Sequence, residues 1–184
     1  MTPINPRVNV ARSARSALFV PVTSAKRRTI PVSNDLPGAS NLAEMFVTRK
    51  AEFSASHVCR IDTLSDAANR EIFGEAANRN GHGHNYVVEV TVEGDPDPVT
   101  GMVVDLRTLK KILEEEVIAP MDHRFLNYEV KPFDTMVPTA ENVAREIWRR
   151  LEPRVSDLNT SLAKVRLFET ADLYVDIVRW GGAA

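Results

Sequence analysis

Cysteine occurs once in these 184 residues, as Cys59, so no internal disulfide framework exists and a cytoplasmic setting is the expectation. Long apolar runs are lacking as well. None approaches the roughly 18 residues that a membrane-spanning helix needs, so no membrane partner is expected. The net charge is only −2, which argues against a general nucleic-acid binder, and no internal repeat is present. Acidic residues are absent from Met1 to Asn34, where Arg7, Arg12, Arg15, Lys26, Arg27 and Arg28 stand among Ser, Val and Pro without sustained periodicity. Residues 1–43 therefore read as a basic, disordered extension, with an Arg- and Ser-rich organelle transit peptide as the alternative.

The remainder, residues 44–182, is sized for one domain, and a hydrophobic content of 43% can supply an ordinary core. Met45 to His57 reads as a strand, and a short helix is expected around Ser65 to Phe73. Tyr86, Val88, Val90 and Val92 alternate with polar residues, the mark of a half-buried strand. The turn-rich run Gly94 to Gly101 then predicts a hairpin onto Met102–Val104. Asp105 is placed to cap a helix whose apolar stripe is Leu106, Leu109, Ile112, Leu113 and Val117 and which Pro120 ends. Thr139 caps a second one, with Val143, Ile147, Trp148 and Leu151 on its stripe and Pro153 at its close. Leu162–Phe168 and Leu173–Trp180 read as two last strands. Strands paired early, strands paired late and helices between them predict an α+β domain with an antiparallel sheet covered on one face.

Histidine is scarce, with four in the chain, and three are His57 and the pair His82 and His84. Residues two apart on a strand point to one face, so both members of the pair can converge on one ion while His57 arrives from a second strand. Three imidazoles with an open fourth position make the ligand set of a catalytic zinc. The bland reading is that Gly81 and Gly83 mark only a tight turn. His123 follows Asp122, and a carboxylate beside an imidazole orients and charges a general acid or base.

The linked segments Phe53-Ser54-Ala55-Ser56-His57, Asn80-Gly81-His82-Gly83-His84-Asn85-Tyr86, Asp97-Pro98-Val99-Thr100-Gly101-Met102-Val103, Pro120-Met121-Asp122-His123, Thr139-Ala140-Glu141-Asn142-Val143 and Glu169-Thr170 resemble the 6-pyruvoyl-tetrahydropterin synthase family, which includes 6-carboxy-tetrahydropterin synthases. The resemblance runs from about Phe46 to Trp180. It implies the tunnelling fold: a four-stranded antiparallel sheet with two helices on one side, trimers closing into a barrel, and hexamers with active sites at subunit borders. It implies His57, His82 and His84 as zinc ligands and Glu169 as the carboxylate gripping the 2-amino-pyrimidinone edge of a pterin. Thr139 and Ala140 would line the pterin pocket, and Asp122 with His123 would be the proton-relay pair. The implied substrate is 7,8-dihydroneopterin triphosphate, which loses its triphosphate.

One position departs from the family pattern. Animal-type members read Phe-Gly-Lys-Cys where this chain reads Phe73-Gly74-Glu75-Ala76, so the thiolate that usually abstracts a proton is replaced by the methyl of Ala76. Glu75 is one substitute, since some relatives use a glutamate to cleave the dihydroneopterin side chain toward folate precursors. Cys59, two residues past His57, is the other. The bland readings are a solvated loop charge for Glu75 and a small buried hydrophobe for Cys59. The further alternatives are a 6-carboxy-tetrahydropterin synthase of queuosine biosynthesis and a catalytically impaired pterin-binding homologue. The loop length before the histidine pair favours the animal type.

Overall fold

A computed structural model describes residues 44–179. The expected extension over 1–43, its targeting alternative, Trp180 and residues 181–182 lie outside the described residues. Strand β1 (Phe46–His57) buries Phe53, Ala55 and His57, alternating with outward Glu52, Ser54 and Ser56. It pairs antiparallel with β2 (His82–Glu93), in which Tyr86, Val88, Val90 and Val92 are fully buried. Between them lie α1 (Asp66–Phe73), capped by the Ser65 hydroxyl on Ala68 N–H, and a 3-10 turn over Gly74–Ala77. The late pair is β4 (Ser161–Phe168) and β5 (Tyr174–Val178).

The sheet has five strands, not the expected four. Its order is β3-β1-β2-β4-β5, where β3 is the two-residue Arg124–Phe125, parallel to β1 opposite Ala55 and Ser56. The strand expected at Met102–Val104 does not form, for a physical reason. Both edges of β2 are already taken, by β1 and β4, so no ladder is open to that segment. Instead Asp97 Oδ1 accepts hydrogen bonds from the Val99 and Thr100 N–H groups at 3.0 and 2.7 Å and closes a compact loop.

Helix α2 (Leu106–Leu113) begins where expected, with Asp105 Oδ1 accepting from Arg107 N–H. The helical path ends at Met121, one residue past Pro120. A π-helical turn over Glu114–Ile118 leads into α3 (Ala119–Met121), and Arg150 Nη1 donates to the carbonyl of Glu116, which a proline four residues on cannot satisfy. After α4 (Leu126–Glu129), helix α5 (Ala140–Ser156) passes its proline, Pro153, because Leu151 and Val155, both fully buried, hold the extra turn on the core. Leu109, Leu113, Val143 and Ile147 of α2 and α5 pack with Val88, Val90, Val165 and Leu167 of the sheet in one core. Among the described residues no helix is long and apolar enough to cross a membrane.

Ile147 is fully buried in this layer while Met102 is 45% exposed. Ile147→Ala should cost about 2–5 kcal/mol in urea unfolding, and Met102→Ala no more than about 0.5 kcal/mol.

Candidate metal centre

The β1–β2 register sets His57 opposite His82 and Ala55 opposite His84, so all three imidazoles stand on the helix-covered face at the end of the ladder. Their ring centroids are 4.4 Å (His57–His82), 4.9 Å (His82–His84) and 5.2 Å (His57–His84) apart. One ligand atom from each ring falls within 4.8 Å of the others, and among the described residues this is the group shaped to hold a metal ion. The glycines matter to this geometry. A Cβ at Gly81, where φ is +71°, would lie 2.8 Å from the Phe125 ring, and one at Gly83 would lie 3.2 Å from the Ala55 carbonyl. The tight-turn reading and the ligand reading therefore hold together.

The donor atoms fit a metal. The Pro138 carbonyl accepts a 2.6 Å hydrogen bond from His57 Nδ1–H, which fixes the tautomer and leaves the Nε2 lone pair facing inward. His82 Nδ1 and His84 Nε2 are buried without hydrogen-bond partners, the condition in which a cation is the missing neighbour. Burial lowers the His57 pKa to about 4, with the charges of His82 and His84 adding to the effect against the Pro138 bond. Burial also lowers His84. Neutral imidazoles are the form that ligates.

Around the triad is a cavity of about 200 Å³ lined by Cys59, Ala76, Thr139, Ala140, Glu141 and Glu169 as well as the three histidines. Glu169, just past β4, brings Oε1 to 3.6 Å from His57 Nε2 and 3.7 Å from His84 Nε2. Thr139 is both the expected cap of α5, accepting from Asn142 N–H, and a wall of this cavity. Cys59 N–H donates to the Ala76 carbonyl at 2.9 Å, so the one thiol stands beside the position that lacks one. Its pKa is pushed up to about 11 by burial and by the charges of Glu169 and Glu141. Glu75 is not brought into the cavity: its side chain is 87% exposed and 4.0 Å from Arg70 Nε.

Asp122 and His123 are paired but elsewhere. His123 Nδ1 lies 2.8 Å from Asp122 Oδ2, and Asp122 Oδ1 accepts from Ser54 N–H at 2.8 Å, bonds that hold the carboxyl below its ordinary range, the Ser54 bond first. His123 lines an opening of about 530 Å³ with Ser54, Ser56, Gly83 and Asn85, and His84 borders both this opening and the smaller cavity. Sequence reasoning missed two features of the cavity. Tyr86 places its hydroxyl 3.4 Å from His57 Nε2, and burial with the nearby Glu169 charge raises its pKa. Glu141 lines the wall. The alternation that joined His82 to His84 extends to Tyr86 and was the signal for the first.

Three strand-borne imidazoles with a carboxylate over them, on an α+β sheet, make a centre positioned to hold a metal ion. The sequence matches the 6-pyruvoyl tetrahydropterin synthase family over residues 46–179. It is 46% identical over 133 residues to the 6-pyruvoyl tetrahydrobiopterin synthase of Pongo abelii, covering 72% of this chain and 90% of that protein. The 6-carboxy-5,6,7,8-tetrahydropterin synthase of Rickettsia typhi is 28% identical over 112 residues, covering 52% and 81%. The structure of Caenorhabditis elegans 6-pyruvoyl tetrahydropterin synthase matches with TM-score 0.70 and 40% identity, covering 76% of this chain and 98% of that one. The chain belongs to the 6-pyruvoyl tetrahydropterin synthase family.

The lowered His57 pKa has a sign for stability. Between about pH 6.5, the unfolded value, and about pH 4 the unfolded chain binds the extra proton, so metal-free protein loses stability as pH falls through that window. The loss should be on the order of 3 kcal/mol in urea midpoints read from pH 7 to pH 4. In His57→Gln the slope should flatten.

Proposed function

We propose that the chain is a zinc-dependent lyase of pterin biosynthesis that takes 7,8-dihydroneopterin triphosphate and eliminates triphosphate. The observation that carries the reading is the convergence of His57, His82, His84 and Glu169 on one cavity in a chain of this family. Three imidazoles suit zinc, and zinc there supplies charge stabilisation to oxygens of the substrate side chain. Glu169 accepts two hydrogen bonds from the adjacent N–H donors of the pyrimidinone edge. Thr139 and Ala140 wall the ring, and Pro138 keeps His57 in its ligating tautomer. The greater likeness to 6-pyruvoyl than to 6-carboxy enzymes supports triphosphate elimination as the reaction.

A cavity of about 200 Å³ is smaller than the roughly 300–1,000 Å³ of a complete ligand site, which supports one chain supplying only part of it. His123, held by Asp122, lines the larger opening on which His84 also borders, and would then complete the site of a neighbouring copy.

The proton-abstracting group is Cys59, since it faces the cavity beside Ala76 while Glu75 faces solvent. In the metal-free protein burial pushes this thiol up to about 11, which makes Cys59 a poorer source of thiolate than an exposed cysteine. Product analysis after incubation with 7,8-dihydroneopterin triphosphate tests the reaction, and a 6-carboxy product or none would reject it. Elemental analysis should find about one zinc per chain, with His84→Ala sharply lowering the content. Ala76→Cys should raise triphosphate release by about 10²–10⁴-fold, the usual contribution of a positioned base. Cys59→Ser should abolish the residual rate, and Glu75→Gln should leave it unchanged.

A further inference from the structure

Glu169 stands closer to the imidazoles than pterin recognition requires. Its Oε1 is 3.6 Å from His57 Nε2 and 3.7 Å from His84 Nε2. Because Nδ1–H of His57 is committed to the Pro138 carbonyl, Nε2 of neutral His57 carries a lone pair. His84 Nε2 is buried and has no hydrogen-bond partner. The Tyr86 hydroxyl, 3.4 Å from His57 Nε2, supplies one donor there; at His84 Nε2 no partner is present, and a cation between that nitrogen and Oε1 would satisfy both. Donors sharing one tetrahedral zinc at bond lengths of about 2.0–2.2 Å are about 3.4 Å apart, within a few tenths of an ångström of what Oε1 already makes with two of the three ligand nitrogens. The group mutually within 4.8 Å comprises the three histidines alone, so Glu169 leans on two of them rather than all. That placement suits a fourth group that must leave.

We propose, resting on the pterin-synthase reading, that Glu169 serves two partners in turn. In the ligand-free protein its Oε1 closes the fourth position of the metal centre. The paired N–H donors of an arriving pyrimidinone edge then draw the carboxylate away and open that position to the side-chain hydroxyls of the substrate. Glu169 can make this exchange because it is the first residue beyond β4, anchored by its N–H to the Leu173 carbonyl at 3.0 Å, with the exposed Thr170–Asp172 turn behind it. One side chain thereby makes ring recognition the condition for an open metal position. A molecule with hydroxyls but no pyrimidinone edge leaves the centre closed.

The test uses the cobalt-loaded full chain and 7,8-dihydropterin, which has the edge but no side-chain hydroxyls. Visible absorption reports the coordination of cobalt, and competition with a chelator reports its affinity. Saturating dihydropterin should change the cobalt band of the unaltered protein. Glu169→Gln should start from a different band, and without pterin it should lose cobalt to chelator about 10–100-fold more readily than the unaltered protein. Linkage requires that cobalt weaken dihydropterin binding by the same factor by which dihydropterin weakens cobalt binding. A cobalt band indifferent to saturating dihydropterin overturns the proposal without any variant, and so does equal chelator competition by the two proteins. If Glu169→Gln loses dihydropterin affinity yet holds cobalt equally, the pterin-anchor role stands and the exchange fails. If it keeps full dihydropterin affinity, the pterin-anchor role itself fails, and the exchange with it.

Discussion

The register of β1 on β2 is the constraint on which the rest depends. Phe53 opposite Tyr86, Ala55 opposite His84 and His57 opposite His82 form one continuous face. A slip of one residue would turn every side chain of one strand to the other face. The apolar part of that face therefore fixes the site: Phe53 and Tyr86, stacked at 5.0 Å, and the buried valines below them enter the core only in this pairing. The imidazoles occupy the last two rungs. Ligand convergence is a consequence of core burial rather than a separate achievement of the loop that joins the strands.

Around that face the chain supplies what a strand pair cannot. The Pro138 carbonyl, just before the N-terminus of α5, orients His57, and Thr139 to Glu141 of the same segment wall the cavity. Glu169 comes from the far end of β4, which is held against β2 by its own ladder. Residues far apart in sequence thus meet because β2 is central, with β1 on one side and β4 on the other. The same centrality denies Met102–Val104 a partner.

Much of this was legible in the sequence. Histidines two apart on an alternating strand, the caps Asp105 and Thr139, and the late strand pair are local signals, and each appears, with the last strand shortened from Leu173–Trp180 to Tyr174–Val178. The misreadings share a physical cause. Pro153 reads as a stop because proline removes a local bond, but the burial of Leu151 and Val155 acts from outside the local window. The two-residue β3 has no periodicity to detect. That Cys59 lies beside Ala76 follows from a backbone bond across 17 residues, the difference of their numbers, which no spacing rule encodes.

Anomalous diffraction at the zinc edge, from crystals grown with zinc and a pterin, bears most directly on the central claim that strand register builds a one-metal pterin site. The account predicts a single peak per chain within bonding distance of His57, His82 and His84, with the pyrimidinone edge on Glu169. A peak elsewhere, or a pterin bound away from Glu169, would contradict it.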